Sequence, residues 1–331
     1  MGDPLLVMSP EGLHCPSAGL WIDPWRPVPR AVITHAHADH ARPGMDSYLC
    51  STSCAPLLRA RLGPEARIET LDYGERRALD GVQLSLHPAG HVRGSSQVRL
   101  EGAGGTWVAG GDFRTEADRT AEAFAPVPCD VFISESTFGL PLYRWRPQAE
   151  VIAGIARWWE GNAAAGRCSV LAAYSLGKAQ RLIAGLRDHG CTGRIAVHGA
   201  MAVVNAAYAE AGVELGAWEP VADGGTYAGS LVICPPAALG SPWIRRFGDA
   251  ATAMASGWMQ VRGQRRRRHV ERGFVLSDHA DWPGLLQAIA GSGARRVLVT
   301  HGQVPALVRW LQERGLDAAP LATEFGHEED A

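Results

Sequence analysis

No apolar run in the chain approaches the roughly 20 residues needed to cross a bilayer, so a membrane-spanning helix is not expected. The opening stretch, MGDPLLVMSPEG, has neither the charged start nor the long apolar core of a secretory signal. There is no cysteine framework either. The seven cysteines, Cys15, Cys50, Cys54, Cys129, Cys168, Cys191 and Cys234, are odd in number and irregular in spacing, which fits reduced thiols in a cytoplasmic protein. Cys50 and Cys54 are close in sequence, but no second pair answers them to complete a cysteine zinc site. A strong net charge is also missing. Lys and Arg total 32 against 34 Asp and Glu, giving −2, so any nucleic-acid affinity must come from a local surface. Repeats and low-complexity segments are absent. What remains is 331 residues, 46% apolar, enough for one large or two intimate domains.

The first third reads as short strands separated by Gly and Pro. Leu20 to Asp23, Ala31 to Thr34, Val82 to Leu86, Thr106 to Ala109 and Val131 to Ile133 carry the apolar runs or alternation of strands. Beyond about residue 141 the rhythm becomes strand–helix alternation, the pattern of a parallel α/β sheet. Helices are predicted over Gln148 to Trp159, Lys178 to Arg187 and Val304 to Arg314. Strands are predicted over Ser169 to Tyr174, Ile195 to Val197, Leu231 to Ile233, Ala251 to Ala255, Phe274 to His279 and Val297 to His301. The chemistry-bearing segments lie at the two ends of the chain, and the middle reads as an insertion with its own sheet.

The densest chemistry is His35-Ala36-His37-Ala38-Asp39-His40, directly after the apolar Ala31 to Thr34. Three imidazoles and a carboxylate in six residues are the natural ligands of zinc, manganese or iron. From one loop, His35 and His37 can reach one cation, and Asp39 and His40 a second. Two metals about 3.5–4 Å apart clamp the attacking and leaving oxygens of a phosphate displacement. The bland alternative is a solvated histidine-rich loop.

The HxHxDH pattern resembles the metallo-β-lactamase superfamily, and further motifs follow in the order that family uses: Pro88-Ala89-Gly90-His91, then Gly110-Gly111-Asp112, with an early aspartate at Asp23. Ile133 to Gly139, containing Glu135, is similar to the acidic motif that opens a β-CASP insertion; Ser277-Asp278-His279-Ala280-Asp281 and Thr300-His301-Gly302 are similar to its later histidine motifs. The implied fold is an α/β metallo-β-lactamase αββα sandwich, residues 1–140 and 275–331, interrupted by a β-CASP α/β domain at 141–274. The chain stops soon after its last motif, so no further C-terminal domain is expected. The resemblance implies two divalent cations, zinc or manganese with iron as an alternative. His35, His37, His91 and Asp112 would hold the first, and Asp39, His40, Asp112 and His301 the second. Asp23 would orient a ligand histidine. Asp39, His279 and Glu135 would form the catalytic set, with His279 as general acid for the leaving oxygen and Glu135 as its partner.

Ser175-Leu176-Gly177-Lys178-Ala179-Gln180-Arg181 and Ser256-Gly257-Trp258-Met259 narrow the resemblance to bacterial DNA-ligase-associated exonucleases. The implied partner is nucleic acid, single-stranded DNA or DNA ends, with functional association to a DNA ligase and no membrane. Substrate contacts are expected from Ser95 and Ser96 beside His91, from Ser175 and Lys178 at a helix start, from Arg265, Arg266, Arg267 and Arg268, and from Trp258 by stacking. Each has an ordinary reading as loop, helix cap, solvated edge or core. His301 points elsewhere: that position is typically histidine in RNA-acting β-CASP enzymes and often valine in Artemis-type DNA nucleases. An RNA nuclease of the 3′-end-processing type is therefore the main rival. A small-molecule hydrolase and an inactive scaffold are weaker ones, since the insertion, Glu135, His279 and every expected ligand are present.

Overall fold

The computed structural model describes residues 4–261, 263 and 270–322. The chain divides into two compact units, Met1–Arg144 with His279–Ala331, and Trp145–Asp278. The junctions, expected at 140/141 and 274/275, fall at 144/145 and 278/279, which gives Asp278 to the second unit and His279 to the first.

The first unit opens with six short strands in one sheet: β1 (Val7–Ser9), β2 (Gly12–Cys15), β3 (Leu20–Ile22), β4 (Ala31–Val32), β5 (Tyr48–Ser51) and β6 (Ile68–Leu71), side by side in that order. The first three run antiparallel, and β3 to β6 run parallel. The strand expected over 31–34 stops at Val32, because Thr34 N–H donates to Asp23 Oδ1 (2.8 Å) rather than to a neighbouring strand. Next come β7 (Arg76–Leu79), β8 (Val82–Pro88), β9 (Ser96–Gly102), β10 (Gly105–Ala109) and β11 (Val131–Ser136), which begin a second sheet.

The second unit follows. It holds β12 (Ser169–Ala172), β13 (Ile195–Val197), β14 (Glu219–Pro220), β15 (Leu231–Cys234), β16 (Ala251–Ala255) and β17 (Arg272–Phe274), all parallel, in the order β14-β13-β15-β12-β16-β17. Helix Gln148–Ala164 precedes β12, helix Lys178–Asp188 lies between β12 and β13, and helix Gly199–Glu210 between β13 and β14. β12, β13 and β15 are buried throughout, as expected of parallel strands covered on both faces. The strand expected over 274–279 ends at Phe274, and Ser277-Asp278-His279 follows as loop, with the Asp278 carboxylate turned inward to Lys178 and Arg181.

Back in the first unit, helix Trp282–Ser292, β18 (Arg296–Gly302), helix Val304–Gln312 and β19 (Asp317–Pro320) complete the second sheet, ordered β19-β18-β11-β10-β9-β8-β7. The start of helix 282–292 is legible residue by residue: Asp281 Oδ1 accepts from Gly284 N–H, Pro283 occupies the first turn, and Gly293 closes the end at φ 62°.

Strand alternation sorts the central sheet into two faces. Trp107 and Ala109, Val131 and Ile133, and Leu298 pack toward the first sheet, against Leu20, Ile22, Val32 and Leu49. Their neighbours Val108, Phe132, Val297 and Val299 pack the other way, against Leu285, Ile289, Leu307 and Leu311 of the two late helices. Two sheets face to face, with helices behind the second, make a rigid frame. Because β9 is antiparallel to both β8 and β10, β8 runs with β10, and β10, β11 and β18 are parallel. Their carboxyl ends therefore meet at one edge.

Candidate metal centre

That shared edge carries the chemistry. His91 follows β8, Asp112 follows β10, Glu135 lies near the end of β11 and His301 near the end of β18. From the first sheet, Asp23 follows β3, and His35 to His40 follow β4. Parallel strand ends thus gather residues separated by up to some 280 positions in sequence.

His35, His37, His91 and Asp112 bring one donor atom each to within 4.8 Å of one another. His35 Nε2 lies 3.0 Å from His37 Nδ1, and His91 Nε2 lies 3.1 Å from that same atom. Asp112 Oδ2 stands 3.5 Å from His35 Nε2 and 3.7 Å from His91 Nε2. Tautomers follow from the outer partners. Asp23 Oδ2 takes the Thr34 hydroxyl proton (2.5 Å), so Thr34 Oγ1 is left to accept from His35 Nδ1–H (3.1 Å). The Nε2 lone pair of His35 then faces the cluster. Lone pairs converging at 3.0–3.1 Å repel each other unless a proton or a cation holds them together, and three imidazoles with one carboxylate suit zinc, manganese or iron. The donor set fits such an ion.

A second group adjoins the first. Asp23 Oδ2 also accepts from His40 Nδ1–H at 2.7 Å, which turns His40 Nε2 toward Asp39 Oδ2 (3.4 Å) and Asp112 Oδ2 (3.5 Å). His301 stands further out, its ring 6.0 Å from that of His40. It sits at φ 53°, followed by Gly302 at φ 73°, where an added Cβ would come within 2.5 Å of Ser136 O and Thr137 Cα. Asp23, Thr34, Asp39, His40, Asp112, Glu135 and His301 line one shared cavity. On the far side, Glu135 accepts from Phe113 N–H (2.8 Å) and from His279 Nδ1–H (2.9 Å). A carboxylate only accepts, so this contact keeps the proton of His279 on Nδ1.

The electrostatics agree with the donor geometry. Burial, helped by the charges of His40 and His37, holds His35 well below the usual histidine value, so its ring is neutral. Burial also lowers His301, to about 4. His40 goes the other way: burial pulls it down, but Asp39, Asp112 and Asp23 together raise it well above its ordinary value. Burial pushes the Asp112 carboxyl up to about 7 against the pull of His40 and His279, so a cation binding there displaces a proton. For Glu135, burial raises the value, but the charge and hydrogen bond of His279 outweigh it and leave the carboxyl lowered.

Set beside known proteins, no protein-family model matches the chain. A probable DNA ligase of Opitutus terrae is 36% identical over 310 residues, 93% of this chain and 30% of that protein. Endoribonuclease YSH1 of Candida albicans is 33% identical over 119 residues, 35% of this chain and 13% of the relative; cleavage and polyadenylation specificity factor 73 of Drosophila melanogaster is 31% identical over 166 residues, 46% and 23%. The chain belongs to the β-CASP metallo-β-lactamase family. It spans about a third or less of the length of these relatives. A crystal structure of a protein of unknown function from Enterococcus faecalis V583 shares the mixed α/β fold, with a TM-score of 0.58 over 90% of this chain and 80% of the other at 11% identity.

The residues expected to touch substrate are placed differently from the His/Asp cluster. Ser95 and Ser96 are buried: Ser95 Oγ accepts from His91 N–H (3.0 Å), and Ser96 Oγ donates to Gly94 O (3.2 Å). Both hydroxyls bond to backbone groups of the loop that carries His91. Lys178, the single lysine in the chain, is 3% exposed. Its Nζ lies 3.1 Å from Asp278 Oδ2, while Arg181 reaches Asp278 Oδ1 at 2.9 Å. The start of helix 178–188 is closed by its own Gln180, whose Oε1 accepts from Gly177 N–H (2.7 Å). The lysine expected to hold phosphate is thus a member of an interior ion triad. Ser175 is half-buried, and so is Trp258, which packs on the second unit's core. Residues 265–268 lie outside those described. Thr34, whose hydroxyl relays Asp23 to His35, was not singled out from sequence; a hydroxyl immediately before HxHxDH was the available signal.

The triad carries a stability prediction. Asp278→Ala leaves two buried cations without their carboxylate and should cost about 3–5 kcal/mol. Urea unfolding would register this as an earlier transition, with Asp278→Asn milder. Parent-like unfolding of Asp278→Ala would show that the carboxylate is not the counter-ion.

Proposed function

We propose that this chain is a two-metal phosphodiesterase, a DNA exonuclease acting at strand ends in repair, working with a DNA ligase. The observation that carries the hydrolytic reading is the meeting of two groups at Asp112: the four-donor cluster with His35, His37 and His91, and the Glu135–His279 pair, which with Asp112 forms a second set of converging donors. The preference for DNA ends is supported by similarity along 93% of the chain to a protein named probable DNA ligase.

In this reading His35, His37, His91 and Asp112 hold one divalent cation, zinc or manganese, and Asp39, His40, Asp112 and His301 hold the other. When bound, the pair activates water and offsets the charge that develops on phosphate. The protein supplies the rest. Asp23 and Thr34 keep His40 and His35 in the ligating tautomer. The buried, ionised Glu135 fixes the ring of His279 through Nδ1–H. His279 Nε2 then gives its proton to the oxygen that leaves phosphorus as the P–O bond breaks. The seven free thiols suit a reducing, cytoplasmic setting, and no helix among the described residues is long and apolar enough to cross a membrane.

A second reading, an RNA nuclease, is favoured by the similarity to endoribonuclease YSH1 and by His301. Matched DNA and RNA strands, labelled at either end and incubated with manganese or zinc, separate the two. Stepwise loss of DNA from one end is the expected result and gives the polarity. Cleavage of RNA alone would transfer the function to RNA processing. No cleavage of either by metal-loaded protein would overturn both.

A further inference from the structure

The turn that carries His91 is gripped by a side chain that belongs to none of the motifs. Glu122 lies in the irregular segment between β10 and β11, about 30 residues downstream of His91. Its Oε2 accepts from Gly94 N–H at 2.9 Å, and its Oε1 lies 3.0 Å from Arg93 Nη1. The carboxylate therefore spans two successive residues of the loop Pro88 to Ser96. We propose that Glu122 is a positioning residue for the triple-histidine subsite, acting on His91 through this loop; the proposal rests on the reading of His35, His37, His91 and Asp112 as metal ligands.

The connection from Glu122 to the imidazole is short and held at each step. Gly94 sits at φ +75° with its α-carbon pressed on Cys54, where an added Cβ would be 2.2 Å from Cys54 N. Its carbonyl accepts from Ser51 Oγ (2.6 Å), so the Gly94 backbone is fixed at N–H by Glu122 and at C=O by Ser51. The next residue, Ser95, is anchored by Tyr73, whose hydroxyl donates to Ser95 O (2.9 Å). Ser95 Oγ in turn accepts from His91 N–H and from Val92 N–H. His91 Nε2 then meets His37 Nδ1 at 3.1 Å. Ionised acceptors on backbone N–H groups are among the stronger hydrogen bonds. The carboxylate and guanidinium are 19% and 23% exposed, so this ion pair is better shielded than an ordinary surface one. Metal ligation tolerates distance errors of only about 0.2 Å, so a loop freed at Gly94 degrades the site before it disturbs the fold.

Zinc titration calorimetry on the metal-free 331-residue chain tests this, comparing the parent with Glu122→Ala, Glu122→Gln and His91→Ala, with thermal unfolding in chelator as the measure of fold. Glu122→Ala should weaken one zinc site about 10–100-fold, the range for partners that orient metal ligands, at little change in chelated melting temperature. Glu122→Gln should recover part of the loss, since its amide oxygen still accepts from Gly94 N–H. It also decides the matter if the alanine variant does not fold. His91→Ala sets the full size of the effect. Parent-like zinc affinity in the foldable Glu122 variants, alongside a weakened His91→Ala, would overturn the positioning role and leave the metal centre standing. Parent-like affinity in His91→Ala would overturn the metal reading and this proposal with it.

Discussion

Asp39→Ala is expected to fold like the parent and to lose cleavage by more than the ~10²–10⁴-fold that a positioned acid or base contributes. The fold should survive because the Asp39 side chain is 32% exposed and sits in a loop, so its removal opens no cavity in either core. The chemistry should not, because Asp39 Oδ2 faces His40 Nε2 at 3.4 Å and His40 in turn faces Asp112 at 3.5 Å. On the two-metal reading, removing this carboxylate should weaken the second cation subsite while leaving His35, His37 and His91 intact. Cleavage of end-labelled strands and metal analysis of the same preparation should therefore change together, with activity lost and bound metal falling from two ions toward one. Near-normal, metal-dependent activity in this variant would sink the two-metal assignment.

His279→Ala should lower kcat by about 10²–10⁴-fold, the contribution of a well-placed general acid, with bound metal unchanged. The argument is geometric. Glu135 is buried, is held ionised by the charge and hydrogen bond of His279, and accepts Nδ1–H at 2.9 Å. That contact holds the proton on Nδ1 and favours the imidazolium, whose Nε2 proton is the one a general acid would give. Glu135→Gln should be damaged too, because an amide oxygen accepts the same hydrogen bond without the charge that favours the imidazolium. A nitrophenyl phosphodiester provides the control, since its leaving group departs without a proton. Loss on nucleic acid but not on the nitrophenyl ester supports the acid role, whereas equal loss on both substrates would make His279 a binding or ligating residue.

The legible parts of this protein were those carried by local pattern. The apolar runs within Thr106 to Ala109 and Val131 to Ile133 mark β10 and β11, because strands buried on both faces carry unbroken apolar residues. The elements that escaped are short, such as β14 with two residues, or weakly amphipathic, such as helix Ala55–Leu62 with only Leu57 and Leu58 buried. The expected substrate contacts show a different limit. Ser95, Ser96 and Lys178 lie close to motif residues in sequence, yet all three are buried. Sequence proximity to a ligand says nothing about which side of the loop a side chain faces.

The amino-acid sequence by itself determined the donor chemistry: six consecutive residues after one strand place three imidazoles and a carboxylate on a single turn, whatever surrounds them. It also determined the order in which His91, Asp112, Glu135, His279 and His301 follow. Only the tertiary structure decided how they meet. Strands β8, β10, β11 and β18 must run the same way for their ends to converge, and that is a property of sheet order, not of any one segment. The supporting contacts are equally non-local. Asp23 to His40, Asp23 to Thr34, Glu122 to Gly94 and Lys178 to Asp278 each join loops or helices whose spacing no periodicity records, because a hydrogen bond depends on where two backbones pass in space.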